Sequence, residues 1–211
     1  MIIGLTGTYC AGKNYIASIL ESKGLPVLDV DKMGHQVLES EKKEIFTKFG
    51  FDLQKADGSL DRQLLGQRVF GKPEKLSALE AIIHPAVNQL TEEWIISQNG
   101  NCVINAALLH RSSVFEKLEC IILVTAPVIT RLIRAKRRDR LSWITLLKRF
   151  NSQKGFNTQY LSKKAEIYRV GNFGLPCNSG CTGKPGKSSS SKLENRIEKI
   201  LEGIYKTWKK K

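Results

Sequence analysis

The chain opens on an apolar run, Ile2-Ile3-Gly4-Leu5, breaks on glycine, and resumes at "KNYIASILESKG", where Ile16, Ile19 and Leu20 share a helical face and Gly24 supplies a stop. This pattern predicts strand, loop and helix. "LPVLDVD" predicts a second, buried strand with Asp29 and Asp31 at its C-terminal end, the edge at which open parallel sheets bind ligands. The order β-loop-α-β predicts an α/β fold with a right-handed crossover. Residues 41–98 then carry helical spacing throughout. "KKEIFTKFG" ends on Gly50, "SLDRQLLGQRVF" opens on a Ser59 cap, "PEKLSALEAII" has Pro73 at a first helical position, and "PAVNQLTEEWII" repeats the pattern. "CVINAALL" and "CIILVTAP" are continuous apolar runs of the kind central parallel strands require. Residues 128–151 read as helix again, apolar at Leu132, Ile133, Leu141, Ile144, Leu147 and Phe150 and arginine-rich between them. "EIYRVGNFG" predicts the last strand, and a Gly/Ser/Lys linker at 175–191 leads into an amphipathic helix, "KLENRIEKILEGIYKTWKKK".

Between the first strand and the first helix lies "GTYCAGKN", in which Gly7, Gly12 and Lys13 have the spacing of a phosphate-binding loop. In such a loop backbone N–H groups cradle phosphate oxygens and the following helix adds the positive end of its dipole. Nucleotide contacts are therefore expected at Gly7, Cys10, Ala11, Gly12, Lys13, Asn14 and Tyr15, with Lys13 neutralising the β and γ phosphates. The rival reading is an ordinary glycine-rich βα turn. Asn14 stands where the motif asks for Ser or Thr, whose hydroxyl coordinates Mg²⁺. An amide oxygen is an acceptable hard ligand but sits one bond farther out, so Asn14 is the metal candidate, binding the ion through water or with altered geometry. The expectation is weakened Mg²⁺ coordination rather than a dead site.

Charge sharpens this picture. The net charge of the 211-residue chain is +14, and its placement is uneven. Residues 131–154 carry nine Lys/Arg against one Asp and residues 183–211 nine against three Glu, which accounts for the whole excess. A basic cluster beside a phosphate loop points to polyphosphate ligands rather than to nucleic acid. No apolar run approaches the roughly 20 residues that span a bilayer, and the N-terminus has no signal-peptide pattern, so a cytoplasmic location is expected. Five cysteines at 10, 102, 120, 177 and 181 form no disulfide framework and read as reduced thiols.

These motifs resemble those of the dephospho-coenzyme A kinase family. The matches are the "GLTG" opening of the loop, Asp29-Val30-Asp31, the segment Gly58-Ser59-Leu60-Asp61-Arg62, Leu79 through His84-Pro85, and "RLIRAKRRDRLS" leading to Gln153, in the expected order over roughly residues 1–174. The chain departs from the family pattern at His35, at Ala107-Leu108-Leu109-His110-Arg111 in place of P-L-L-x-E, and at Arg131 in place of a lid Gln. The resemblance implies a P-loop NTPase-like parallel sheet flanked by helices, with a helical substrate-binding insertion and an Arg-rich helical lid. As one kinase domain it would divide into a core of 1–40, 100–130 and 165–211, an insertion of 41–99, a lid of 131–154 and a flexible linker of 175–191. It implies ATP and Mg²⁺ as cofactors and dephospho-coenzyme A as acceptor, at its ribose 3′-hydroxyl.

By the same resemblance Asp31 orients or deprotonates the acceptor hydroxyl, with capping of the next helix as the alternative, and Asp29 is a substrate-binding candidate that could instead be the cap or a Mg²⁺-shell partner. Arg134 and Arg138, four apart and so on one helical face, would both reach the triphosphate. A solvated basic face is the alternative, and Arg137 or Arg140 could stand in for either. Arg62 and His84 fall on the coenzyme A side, where an ordinary structural histidine is the competing reading. A monomer is expected. The rival functions are another P-loop nucleotide or nucleoside kinase and a non-catalytic nucleotide- or nucleic-acid-binding protein.

Overall fold

Among the described residues five strands, β1 (Ile2–Gly7), β2 (Val27–Asp29), β3 (Cys102–Asn105), β4 (Cys120–Thr125) and β5 (Glu166–Gly171), form one sheet in the order β2-β3-β1-β4-β5. The computed structural model describes residues 1–151, 160, 165–174 and 187–208, with the side chains of 187–190 outside the description. Strand β1 lies at the centre and runs parallel to β3 and β4, with Leu5 opposite Asn105 on one side and Ile122 on the other; β4 runs parallel to β5. This order makes the chain cross over between neighbouring strands, which is why helices separate them.

The chain divides into two units, Met1–Leu28 with Gln98–Lys211, and Asp29–Ser97. In the first, the period of two along β1 sends Ile3 and Leu5 to one face, where Val103, Ile122, Val124 and Val170 join them. That face is closed by α1 (Lys13–Ser22), through Ile16, Ala17, Ile19 and Leu20, and by the C-terminal helix, through Leu193, Ile197, Leu201 and Ile204. On the other face a Cβ at Gly4 would lie 2.6 Å from Leu109 Cδ2 and 2.8 Å from Leu118 Cδ1, so glycine lets these two side chains close onto the strand without shifting.

The second unit holds α2 (Val30–Ser40), α3 (Lys42–Phe49), α4 (Arg62–Val69) and α5 (Pro73–Ser97) around a separate core of Ile45, Phe46, Phe49, Leu53, Leu60, Leu65, Val69 and Ile82. It takes in α2, which the sequence reading assigned to the sheet core, because Leu38 packs against this second cluster.

Several expectations need correction. Strand β2 is half-buried rather than buried and stops at Asp29, whose side chain caps α2 by accepting from the Lys32 N–H at 3.1 Å. Helix is interrupted between α3 and α4 by a 3-10 turn, Phe51–Leu53, and an antiparallel bridge between Gln54 and Leu60. The cap of α4 is Asp61, which accepts from the Gln63 and Leu64 N–H groups, whereas Ser59 bonds Asp57 in the preceding turn. Helix α5 continues through Pro85 instead of restarting there.

Residues 128–151 form two helices, α6 (Val128–Asp139) and α7 (Trp143–Asn151), because Arg140 takes a left-handed conformation at φ 53°. The C-terminal helix, α8 (Lys187–Trp208), begins inside the stretch expected to be linker. Gln153, Cys177 and Cys181 lie outside the described residues. Among the described residues no helix is long and apolar enough to cross a membrane.

Candidate active site

The loop leaving β1 turns at once into α1. A Cβ at Gly7 would lie 2.7 Å from the Val124 carbonyl oxygen, so the close approach of β4 requires glycine there. The turn is closed by the Ala11 N–H donating to the Thr8 carbonyl at 2.9 Å. Cys10 and Gly12 take positive φ, 60° and 95°. Gly12 is the N-cap of α1, and no side chain caps the helix, whose first turn carries no carboxylate. A helix N-terminus left uncapped behind a tight glycine turn is an anion site in waiting. Lys13 and Tyr15 lie half-buried at its start.

On the outer side of this loop sits Arg134, 6 % exposed, from α6. Its Nη1 donates to the carbonyls of Cys10 at 3.2 Å and Ala11 at 2.9 Å. Its Nη2 donates to Asn172 Oδ1 at 3.0 Å, to the Asn172 carbonyl at 3.2 Å and to the Gly174 carbonyl. The guanidinium expected on the triphosphate is thus engaged with carbonyls, and the helical spacing to Arg138 did not reveal it because the partners come from the loop and from beyond β5. Asn172, absent from the sequence reading, adds a bond from Nδ2 to the Ala11 carbonyl at 3.0 Å.

Arg138 is placed differently. Its guanidinium is gripped by Asp139, with Nε donating at 2.7 Å to Oδ1, and lies 5.1 Å from the centre of the Tyr9 ring, within the loop. The Tyr9 hydroxyl donates to Asp139, Arg149 lies 3.7 Å from the same carboxylate, and Phe150 packs edge-on against the Tyr9 ring. Arg131 lies over Phe150, and burial pushes its guanidinium below the ordinary arginine range. Burial also raises the Cys10 thiol, with Arg138, Arg134, Arg131 and Arg149 opposing the rise.

At the start of α1, Asn14 Oδ1 accepts from Asn105 Nδ2 at 3.4 Å, while the buried Asn105 Oδ1 has no hydrogen-bond partner. Asn105, at the end of β3, was also missed; it is a buried polar residue within an apolar run, and that is the signal that marks it. Thr6, Tyr160 and His110 form a further polar cluster, with the Tyr160 hydroxyl 3.3 Å from Thr6 Oγ1 and 3.2 Å from His110 Nδ1. Burial, then the charge of Arg111, holds the His110 ring below the usual histidine pKa. Among the described residues no three His, Cys, Asp or Glu side chains gather as a metal site.

In the second unit Asp31 is exposed in the first turn of α2, and Asp29 is occupied as its cap. Exposed Arg62 opens α4 and lines a pocket of about 360 Å³ with Glu39, Lys55, Ser59, Leu60, Asp61 and Gln63. Lys42 bonds the Glu39 carboxylate and holds it below the usual range. His84 is half-buried within α5, one residue before Pro85, and His35 is exposed on α2.

The dephospho-CoA kinase family profile matches residues 1–167. The dephospho-CoA kinase of Treponema pallidum (strain Nichols) is 33% identical over 184 residues, covering 82% of this chain and 87% of that protein. That of Shouchella clausii is 37% identical over 149 residues, covering 67% of this chain and 76% of its own length. A crystal structure from Thermus thermophilus superposes with a TM-score of 0.75 at 28% identity over 97% of both chains. Dephospho-CoA kinase from Campylobacter jejuni shares the fold, with a TM-score of 0.58 at 24% identity over 96% of each chain.

Proposed function

The chain belongs to the dephospho-CoA kinase family, and on that premise we propose that it transfers the γ-phosphoryl group of ATP to the ribose 3′-hydroxyl of dephospho-coenzyme A, completing coenzyme A. It is an ATP-dependent kinase. The observation that carries the reading is the family match across residues 1–167, which takes in the loop, the helical unit and the arginine-rich helices together.

Phosphoryl transfer needs little covalent chemistry from a protein, so the work is positioning and charge neutralisation. The backbone of Gly7 and of Cys10 to Tyr15 would cradle the phosphates, and Lys13 would neutralise the β and γ groups. Arg138, held beside the loop by Asp139 and Tyr9, is the arginine available to the transferred group. Arg134 acts from behind, on the loop itself. Asp31 would orient or deprotonate the acceptor hydroxyl; its exposure and the use of Asp29 as the cap support that division of labour. Arg62, beside Lys55 in a polar pocket, and His84 are the proposed coenzyme A contacts. The proposed lid is 131–154 and the proposed acceptor-side insertion 41–99.

Asn14 would hold Mg²⁺, which when bound would supply positive charge to offset that on the transferred group. The residues present fit a hard cation modestly, since Asn14 offers a neutral amide oxygen and the orphaned oxygen of buried Asn105 lies on its hydrogen-bond partner. Free thiols at Cys10, Cys102 and Cys120 support a cytoplasmic location. The proposal of a monomer is checked by sedimentation. An ADP-release assay across acceptors tests the function: dephospho-coenzyme A should drive turnover, while nucleoside monophosphates and nucleosides should be poor. Turnover with a nucleoside monophosphate alone would assign the chain to another nucleotide-kinase activity.

A further inference from the structure

Ala11 and Gly12 share one peptide bond, and that bond is held from outside the loop by two side chains. The Ala11 carbonyl accepts from Arg134 Nη1 at 2.9 Å and from Asn172 Nδ2 at 3.0 Å. Asn172 is 1 % exposed and fixed in turn, since its N–H donates to the Thr125 carbonyl at 2.8 Å and its Oδ1 accepts from Arg134 at 3.0 Å. Asn172, anchored to the end of β4, and Arg134 of α6 thus converge on a single carbonyl.

A planar trans peptide directs its N–H opposite to its C=O. Holding the Ala11 carbonyl outward therefore directs the Gly12 N–H away from Arg134 and Asn172, into the concave side of the loop. At φ 95° Gly12 occupies backbone space that glycine crosses readily, so this peptide can turn over without a side-chain penalty at Gly12. Were it to flip, a carbonyl oxygen would face the bound anion in place of an N–H. A Cβ on Gly12 would also collide with Asn172 Nδ2, so the clamp and the glycine fit only each other.

We propose that Asn172 and Arg134 are positioning residues for nucleotide binding, a two-sided clamp that locks the Ala11–Gly12 peptide with its N–H turned toward the phosphates. The clamp explains why Arg134 is buried against neutral carbonyls, where a charge-assisted bond to each is stronger than a neutral one. It rests on the nucleotide-binding reading of the loop, and it assigns a task to the segment after β5 that phosphate-loop spacing alone does not contain.

The test is calorimetric binding of ADP and of inorganic pyrophosphate to the full chain, with melting temperature measured alongside. Wild type should bind both; absence of binding there overturns the nucleotide reading itself. Asn172→Ala removes the bond to Ala11 without adding charge, Asn172→Asp keeps the shape and the acceptor for Arg134 but removes the donor, and Arg134→Lys keeps the charge but loses the fork. Each variant that folds should bind pyrophosphate and ADP roughly tenfold or more weakly, the scale of a lost hydrogen bond in a site of fixed geometry. In turnover the KM for ATP should rise while the KM for dephospho-coenzyme A stays put. Wild-type affinity in Asn172→Ala or Arg134→Lys overturns the clamp, as does weakening confined to Asn172→Asp, which would be an effect of its charge.

Discussion

Asn105 Nδ2 lies 3.4 Å from Asn14 Oδ1, joining the end of β3 to the first turn of α1 through two carboxamides. A phosphate loop ordinarily offers the metal a hydroxyl at position 14 and a carboxylate on a neighbouring strand. Here Asn14 and Asn105 are both neutral, and Asn105 Oδ1 is buried without a hydrogen bond. Asn14→Thr should lower the Mg²⁺ concentration for half-maximal rate, by about threefold or more, because it shortens the ligand to the length the loop suits. ADP binding without metal should change little, since backbone N–H groups do that work. A titration of rate against Mg²⁺ checks this. A raised requirement in Asn14→Thr would mean that the asparagine pair is an adapted unit, one that Asn105→Asp in the same background should disturb further.

With Arg134 engaged by the loop carbonyls, Lys13 and Arg138 are the residues proposed to divide the phosphate charge. Lys13→Ala should lower kcat by roughly 10²- to 10³-fold or more, the scale of losing a fixed charge at the transferring group. Arg138→Ala should act in the same direction, and Tyr9→Phe more weakly, by freeing the Asp139 carboxylate that grips Arg138. Steady-state kinetics at low ATP decide it. Full activity in Arg138→Ala would make this arginine part of a solvated surface.

The contrast between Arg134 and Arg138 shows where sequence reading stops. Strand, loop and helix around Gly7, Gly12 and Lys13 were legible because each depends on neighbours in the chain: an apolar run, a glycine turn, a 3.6-residue stripe. The same holds for β3, β4, β5 and the apolar stripe of α8. Helical spacing puts both arginines on α6 four residues apart, but the fate of Arg134 is set by carbonyls beyond β5 and in the loop, contacts separated by 38 and 123 residues. Asp29 and Asp31 were singled out together, yet only the backbone turn at Asp29 decides which one caps α2. Proline was read as a helix start at 85, although α5 tolerates it in its interior, where Ile82 belongs to the second core. Asn105 carries a signal, one polar residue within an apolar run, that went unused, whereas Asn172, just past the end of β5, has no local pattern to announce it.

His110 gives a pH signature. Its folded pKa is depressed, so the folded protein binds fewer protons than the unfolded chain as pH falls. Stability associated with the neutral ring is complete above the unfolded value of about 6.5 and is lost as pH drops through the depressed folded value. Melting temperature should therefore fall as pH drops below about 6.5, with the His110 contribution levelling off below its depressed folded value, and the fall should be shallower in His110→Gln. Parallel curves for the two proteins would remove His110 from the account and leave the acid response to carboxylates.

The most direct test of the kinase assignment follows the phosphate itself. With ATP labelled at the γ position and dephospho-coenzyme A as acceptor, label should appear in a product that co-migrates with coenzyme A and is released by a 3′-specific phosphatase. The Lys13→Ala protein should leave the label in ATP. Label passing to water, to a nucleoside monophosphate or to no acceptor while wild type binds ATP would contradict the account.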